Sequence, residues 1–527
     1  MELPSILAGQ SFYMVEPPYD SFQSLFPMPM TSIEKFHWFD DSPEYPNVVF
    51  CRLKIRGKID QATAKQAWQY AVQRQPFGDV YPAKIKGRWF WNAGPRSQGE
   101  THREFDLWDG TRFEYEERDS SPPAWKFSDH PIRSAAGSYL GITVWPEPTS
   151  SASSSEIAPE AIHGPAGFCS EVWLYVHHSV GDGVGSILVI NDWMVVYANL
   201  MNGRAPEKGL HRLDPELLKQ RNSLGILSWR YLKHVYKQPI ALFGAAKFIM
   251  RKTAELLPGS ERAAPPAPQS ENLPPAAEPV YPAIIGRWIS ESQVEGLAAH
   301  AKRHQVMLNS VLLGQLYLAL AKWRAEHTQH TDRDWMRIIL PMSIRNVSDR
   351  RLPTANRATI VQVDRCGNEM RDLADFYRSL NREIMVIRGW QLDKIFLLVI
   401  RGISLSNKWL LNAANDTKSR GMAVFTNLGE PLRKSERASS REPESMSFLR
   451  PFEFDLVGPI RTGTPINFST SRYGPKLRIS MQYDHRLLNP VHAQALLDDY
   501  VMGLEVAAGE TAKSTQDPIH SVSNVSQ

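Results

Sequence analysis

Residues 48–57, VVFCRLKIRG, alternate apolar and polar side chains, the period of a strand with one face in a core. The pattern then switches. IDQATAKQAWQYAVQRQP (59–76) spaces its apolar residues at helical intervals, with Asp60 near the start and Pro76 closing it. KGRWFWNAG (86–94) returns to a strand pattern. Past residue 282 the alternation resumes: IIGRWIS reads as a strand, and SESQVEGLAAHAKRHQ as a helix capped by Ser290 or Ser292. LNSVLLGQLYLALAKWRAEH (308–327) predicts a long apolar helix, and MRIILPMSI a buried strand. Mixed strands and helices of this kind predict α/β layers.

One segment has a counterpart. VWLYVHHSVGDGVGSILVINDWMVVY (172–197) and LRISMQYDHRLLNPVHAQALLDDYVMGL (477–504) align on His178 and His485. Each reads strand, His, three residues, Asp182 or Asn489, then a helix, which predicts a duplicated lobe. A Pro/Ala-rich stretch, 256–282, lies between the two copies and reads as a linker. The expected division is a first lobe over 1–252, a linker over 253–282, a second lobe over 283–509 and a loose tail over 510–527. Residues 149–167, rich in serine, read as an excursion between strands.

At 527 residues the chain is too long for one ordinary core, in keeping with two lobes. Its 60 basic residues are offset by 56 acidic ones scattered among them, which argues against a dedicated nucleic-acid binder. Three cysteines lie far apart, so neither a disulfide framework nor a cysteine zinc site is expected, and a reducing compartment fits. No basic-then-apolar leader and no run of ~20 apolar residues is visible, so the expected setting is the cytoplasm. The segment 223–252 mixes aromatic residues with Arg230, Lys233, Lys237, Lys247, Arg251 and Lys252. It is either a basic-faced helix on the protein wall or a peripheral membrane contact. Residues 394–411 invite the same two readings.

The chemistry gathers at HHSVGDG (177–183). A histidine at a strand end can take a proton near neutral pH, since its ordinary pKa is ~6.5. Gly181 and Gly183 would permit unusual backbone angles around Asp182, which could brace the turn or pair with an arginine. Two rivals stand beside this reading: a satisfied core histidine, and a nucleotide loop, although GDGVG is GxGxG and not GxGxxG. GxSxG, HExxH and GxxxxGK[ST] are all missing from the chain, and no metal site is expected.

These residues match HHxxxDG, and the chain thereby resembles the chloramphenicol-acetyltransferase-like superfamily. That group includes peptide-synthetase condensation domains, wax ester synthase/diacylglycerol acyltransferases and polyketide-associated acyltransferases. LKIRGKIDQATAKQAWQYAVQRQP, IILPMSIRN, VFTNLGEP and the His485 region are similar to further segments of it, together covering most of residues 35–508. SRYGP (471–475), where plant members carry DFGWG, sets the chain apart from that branch. The resemblance implies two similar α/β lobes forming a pseudo-dimer around a central tunnel. It implies a stand-alone, monomeric acyltransferase without a bound cofactor. The donor would be acyl-CoA or a phosphopantetheine-linked carrier-protein thioester, and the acceptor an alcohol or amine. His178 becomes the general base, Gly183 offers its N–H, His177 is architectural, and Asp182 pairs with an arginine, for which Arg345 is the candidate. Thr426 and Asn427 of FTNLG become the oxyanion candidates from the opposite lobe, or else simply close a strand turn. Arg345, Arg350, Arg351 and Arg357 could meet donor phosphates, or line an ordinary loop. His485, followed by Asn489, stays a lesser catalytic candidate. The alternative from another class is a non-catalytic recruitment module on the same fold.

Overall fold

The computed structural model describes residues 24–42, 45–78, 80–93, 112–120, 137–147, 167–225, 236, 251, 253–256, 283–328, 331–404, 406, 421–432, 449–461 and 463–516. The first half supplies β1 (Met28–Pro29), α1 (Ser32–Asp40), β2 (Val48–Arg56), α2 (Gln61–Gln73), β3 (Val80–Ile85), β4 (Arg88–Ala93), β5 (Arg112–Glu117), β6 (Ser138–Pro146), β7 (Phe168–His177) and α3 (Gly183–Met201). The second supplies β8 (Ala283–Ile289), α4 (Glu291–Arg303), α5 (Leu308–His327), β9 (Trp335–Ser343), β10 (Ala358–Cys366), α6 (Leu373–Gly389) and α7 (Lys394–Ile403). It continues with β11 (Ala423–Asn427), β12 (Pro451–Val457), β13 (Ile466–Tyr473), β14 (Lys476–Tyr483) and α8 (Pro490–Gln516).

Local signals set several of these ends. Asp60 accepts a hydrogen bond from the Thr63 amide at 2.8 Å and starts α2. Ser290 and Gln293 form a reciprocal capping box on α4. Helix α8 runs to Gln516, seven residues past the expected end of the second lobe. GETAKSTQ contains no proline, and the first one beyond it is Pro518, whose ring disfavours helix just before it. The excursion 149–167, apart from Gly167, lies outside the described residues, as do 257–282 and most of 223–252.

Two large sheets carry the α/β fold. One has the order β12-β2-β7-β6-β5 and the other β10-β9-β11-β13-β14-β8, while β1-β4-β3 forms a small third sheet. Behind the first sheet, α2 and α3 close one hydrophobic core around Trp68, Trp193 and Tyr197. Behind the second, α4, α5, α6 and α8 close another around Leu316, Trp323 and Tyr500. Among the described residues α3 alone is, as a single helix, long and apolar enough to cross a membrane, which no apolar run in the sequence had suggested. Two-thirds of that stretch is buried inside the protein, as a core helix should be.

The chain does not keep its two halves apart. Strand β12, from the second half, pairs antiparallel with β2 at the edge of the first sheet. Phe454 and Leu456 on it are buried in the first core, each worth about 1.5–3 kcal/mol by burial alone. Asp455 between them accepts from Arg52 Nε of β2 at 3.0 Å and from Arg478 Nε of β14 at 2.8 Å. Burial alone would raise the Asp455 pKa, but the two guanidiniums hold it well below the usual carboxylate range. One carboxylate therefore ties both large sheets together.

Candidate active site

The apolar run of β7 ends at His177, and the chain then turns sharply: the amides of Val180 and Gly181 both donate to the His177 carbonyl, at 3.0 and 3.2 Å. Asp182 is the N-cap of α3, accepting from the Gly185 amide at 2.7 Å. Its second oxygen accepts from the Arg357 amide at 2.9 Å, and Arg345 Nη2 lies 3.6 Å from the first. The aspartate thus caps its own helix and holds the β9–β10 loop of the other half. The shorter bonds come from backbone amides, and the arginine expected as partner stands farther out.

The glycines serve a different purpose from the one expected. None of Gly181, Gly183 or Gly185 takes a left-handed backbone. A Cβ on Gly181 would sit 2.8 Å from Val176 Cγ1 and 3.0 Å from Thr354 Cγ2, and one on Gly185 would sit 3.1 Å from the same Thr354 methyl. They make room for the second half's loop. Thr354 is fully buried there, its amide donating to Gln75 Oε1 at 2.7 Å and its hydroxyl to the Gly185 carbonyl at 3.2 Å. Gly183 lies open beside Leu428 and Leu456 on the wall of a cavity.

The two histidines are not equivalent. His177 is fully buried, with Nδ1 accepting from the Ser179 amide at 3.2 Å and Nε2 3.8 Å from Asp41. Its setting is structural. His178 is partly exposed and lines the cavity, which measures about 130 Å³ and lies between the two large sheets. Asn356, from the second half, donates to the His178 carbonyl at 2.7 Å and has the same amide nitrogen 3.0 Å from Nδ1. Burial lowers the His178 pKa; hydrogen bonding to its own carbonyl and that of Gly181, and the Asp182 charge, work against that.

Thr426 lines the same cavity from β11, across from His178. Asn427 does not join it: its Nδ2 donates to Asn309 at 3.0 Å, and its Oδ1 accepts from the Gly429 amide at 2.9 Å, closing a turn. The remaining walls are mostly apolar, among them Ile339, Pro341, Ile360, Phe396 and Val424 from the second half. Of the four loop arginines, Arg357 is buried and committed to the carbonyls of Arg221 and Ser223 and to Asp349, so it cannot face a donor phosphate. Arg350 and Arg351 are exposed. His485 is half-buried and does not belong to the cavity wall. Among the described residues no group of three or more His, Cys, Asp or Glu side chains is placed to hold a metal ion.

Several residues at the site carried no motif. His37 of α1 stacks on His178, and Asp40, Tyr45, Asn47 and Arg461 add to the polar part of the wall. Helix α1 did leave a trace, since Thr31 and Glu34 form a capping box that T-x-x-E announces. Nothing local marks Asn356, which acts on a histidine 178 positions away.

This arrangement is a two-lobe α/β protein with one histidine motif facing an interlobe cavity. Its fold is that of solved condensation domains. The first condensation domain of the calcium-dependent antibiotic synthetase, in complex with a substrate analogue, superposes with a TM-score of 0.59. The match covers 92% of this chain and 97% of that one at 14% identity. The starter condensation domain of rhizomide synthetase, in complex with C8-CoA and Leu-SNAC, gives 0.55 over 92% and 94% at 12% identity. Phthiocerol/phthiodiolone dimycocerosyl transferase of Mycobacterium leprae is 24% identical over 177 residues, 34% of this chain and 37% of that protein. No protein-family model matches.

Proposed function

We propose that this protein is an acyltransferase that moves an acyl group from a thioester, CoA or a carrier protein, to an alcohol or amine. The observation carrying the reading is that His178 and Thr426, from opposite halves, line one mostly apolar cavity. With one ring N–H held by the carbonyls of His178 and Gly181, the other ring nitrogen of neutral His178 keeps its lone pair as a base. That nitrogen takes the acceptor's proton as the acceptor's oxygen or nitrogen attacks the thioester carbonyl. The tetrahedral oxyanion is met by the Thr426 hydroxyl and the Gly183 amide. The carbon–sulfur bond then breaks, and the leaving thiolate takes the proton from His178. Asp182 and Arg345 hold the turn and touch no substrate. The apolar second-half wall suits an alkyl acyl chain, and the C8-CoA seen in a neighbouring fold is of that kind.

The test is a panel of acyl-CoAs and acyl-carrier thioesters offered with mixed alcohols and amines, with products read by chromatography and intact mass. Wild type should turn over at least one pair, and a folded His178→Ala protein should not. Equal turnover by both would remove His178 from the chemistry. Donor binding by both with turnover by neither would favour a recruitment module.

A further inference from the structure

His178 is clamped by side chains that its motif does not contain. The imidazole of His37 lies face to face with it, ring centroids 4.1 Å apart and planes within 7°. Parallel rings at that distance cannot hydrogen-bond to each other, so His37 is no proton relay. The ring is itself fixed: Asn47 Nδ2 lies 3.2 Å from His37 Nδ1 and donates to the His37 carbonyl at 3.0 Å. Asn47 in turn gives its own carbonyl to the His178 amide at 2.8 Å, so one asparagine anchors both histidines. Helix α1 is held against the second half, by Asp40 with Arg461 at 2.7 Å and by a Ser32–Ser404 hydroxyl contact at 2.8 Å.

Resting on the reading of His178 as the base, we propose that His37 is a positioning residue: an imidazole plate that fixes the ring of His178 and keeps water from that face. Geometry and charge agree. Around the pair stand Asp182 with Arg345, His177 beside Asp41, Tyr45, and the Asp40–Arg461 ion pair beyond His37. Burial, and then the like charges of His178, Arg461 and His177, hold the His37 pKa well below its ordinary value. The role of His37 is then to cover and orient, which an aromatic ring without a titrating group could also do.

Two readouts test this in the full-length protein. Imidazole NMR titration, with His178 assigned through His178→Gln, follows the midpoint of His178 in wild type, His37→Ala and His37→Phe. The midpoint should rise in His37→Ala, whose ring face is wetted, and stay near wild type in His37→Phe. Acyl transfer should follow: His37→Ala loses about tenfold in kcat at neutral pH with KM within about twofold, and its acid limb moves to higher pH. His37→Phe should recover most of that loss. Should His37→Ala fail to fold, His37→Gln, which keeps a partner for Asn47 but no plate, replaces it. An unchanged midpoint and unchanged kcat in the plate-less variant would overturn the proposal, as would a His37→Phe protein no better than it. A fully active His178→Ala protein would instead overturn the catalytic reading, while the NMR arm still decides the plate.

Discussion

The turn after β7 and the turn after β14 share one plan and have opposite surroundings. In each a strand ends, a histidine follows, and a polar residue four positions on caps a long helix, Asp182 for α3 and Asn489 for α8. The first turn is built to receive another part of the chain. Gly181 and Gly185 leave space for Thr354, Asp182 takes the Arg357 amide, and Asn356 reaches His178. The second has Leu488, Pro490 and His492 where the first has glycines, and the Asn489 side chain serves His492 of its own helix. Asp484, just before His485, goes to Tyr45 and to Arg486. A strand–His–helix turn becomes a site, on this comparison, only where the opposite half closes over it.

The sharpest way to break that contrast is catalytic. His178→Ala should lower kcat/KM by about 10²–10⁴-fold, while His485→Ala stays within about twofold. Comparable losses in the two would erase the distinction. Stability comes next. Asp182→Ala strips the Gly185 cap and leaves the buried Arg357 amide unpaired, so denaturant unfolding should show a loss of about 2–4 kcal/mol. Asn489→Ala removes an exposed helix cap and should cost about 1 kcal/mol. A smaller effect follows from volume. Gly181→Ala forces its methyl into Val176 and Thr354 and should cost about 1–3 kcal/mol, with Thr354→Ser recovering part of it.

Acid should separate the two turns least. Burial lowers the pKa of His37, His178 and His485, so below about pH 6.5 the unfolded chain binds more protons than the native one. Stability is then full above that pH and declines as pH falls towards the lowered native values. Urea midpoints at about pH 7.5 and about pH 5.5 should differ. Replacing His37 by Phe should narrow the difference more than replacing His485, since like charges add to burial at His37 while the Asp484 charge opposes burial at His485. The opposite ranking would place the acid-sensitive group in the second turn.

Much of this was legible along the chain. Alternation located β2, β4, β8 and β9, capping residues marked the starts of α2 and α4, and the pairing of His178 with His485 announced two lobes. Those signals are local, set by steric period and by unpaired amides at helix ends. The motif marked both histidines, of which His177 is sealed in and His178 stands on a cavity wall. The purpose of the glycines was not legible, because what they admit is a methyl group from residue 354. Asn427 was grouped with Thr426 on adjacency, yet along a strand neighbouring side chains point to opposite faces, so only one of the two could line the cavity.

The sequence by itself therefore determined the elements, the duplication and the histidine that ends β7, since each depends on residues a few positions apart. Only the tertiary structure decided that β12 joins the first sheet, that Asn356 and His37 hold His178, and that one of two similar turns faces the cavity. Those outcomes depend on shape and charge matching between segments hundreds of residues apart, and no local period records that.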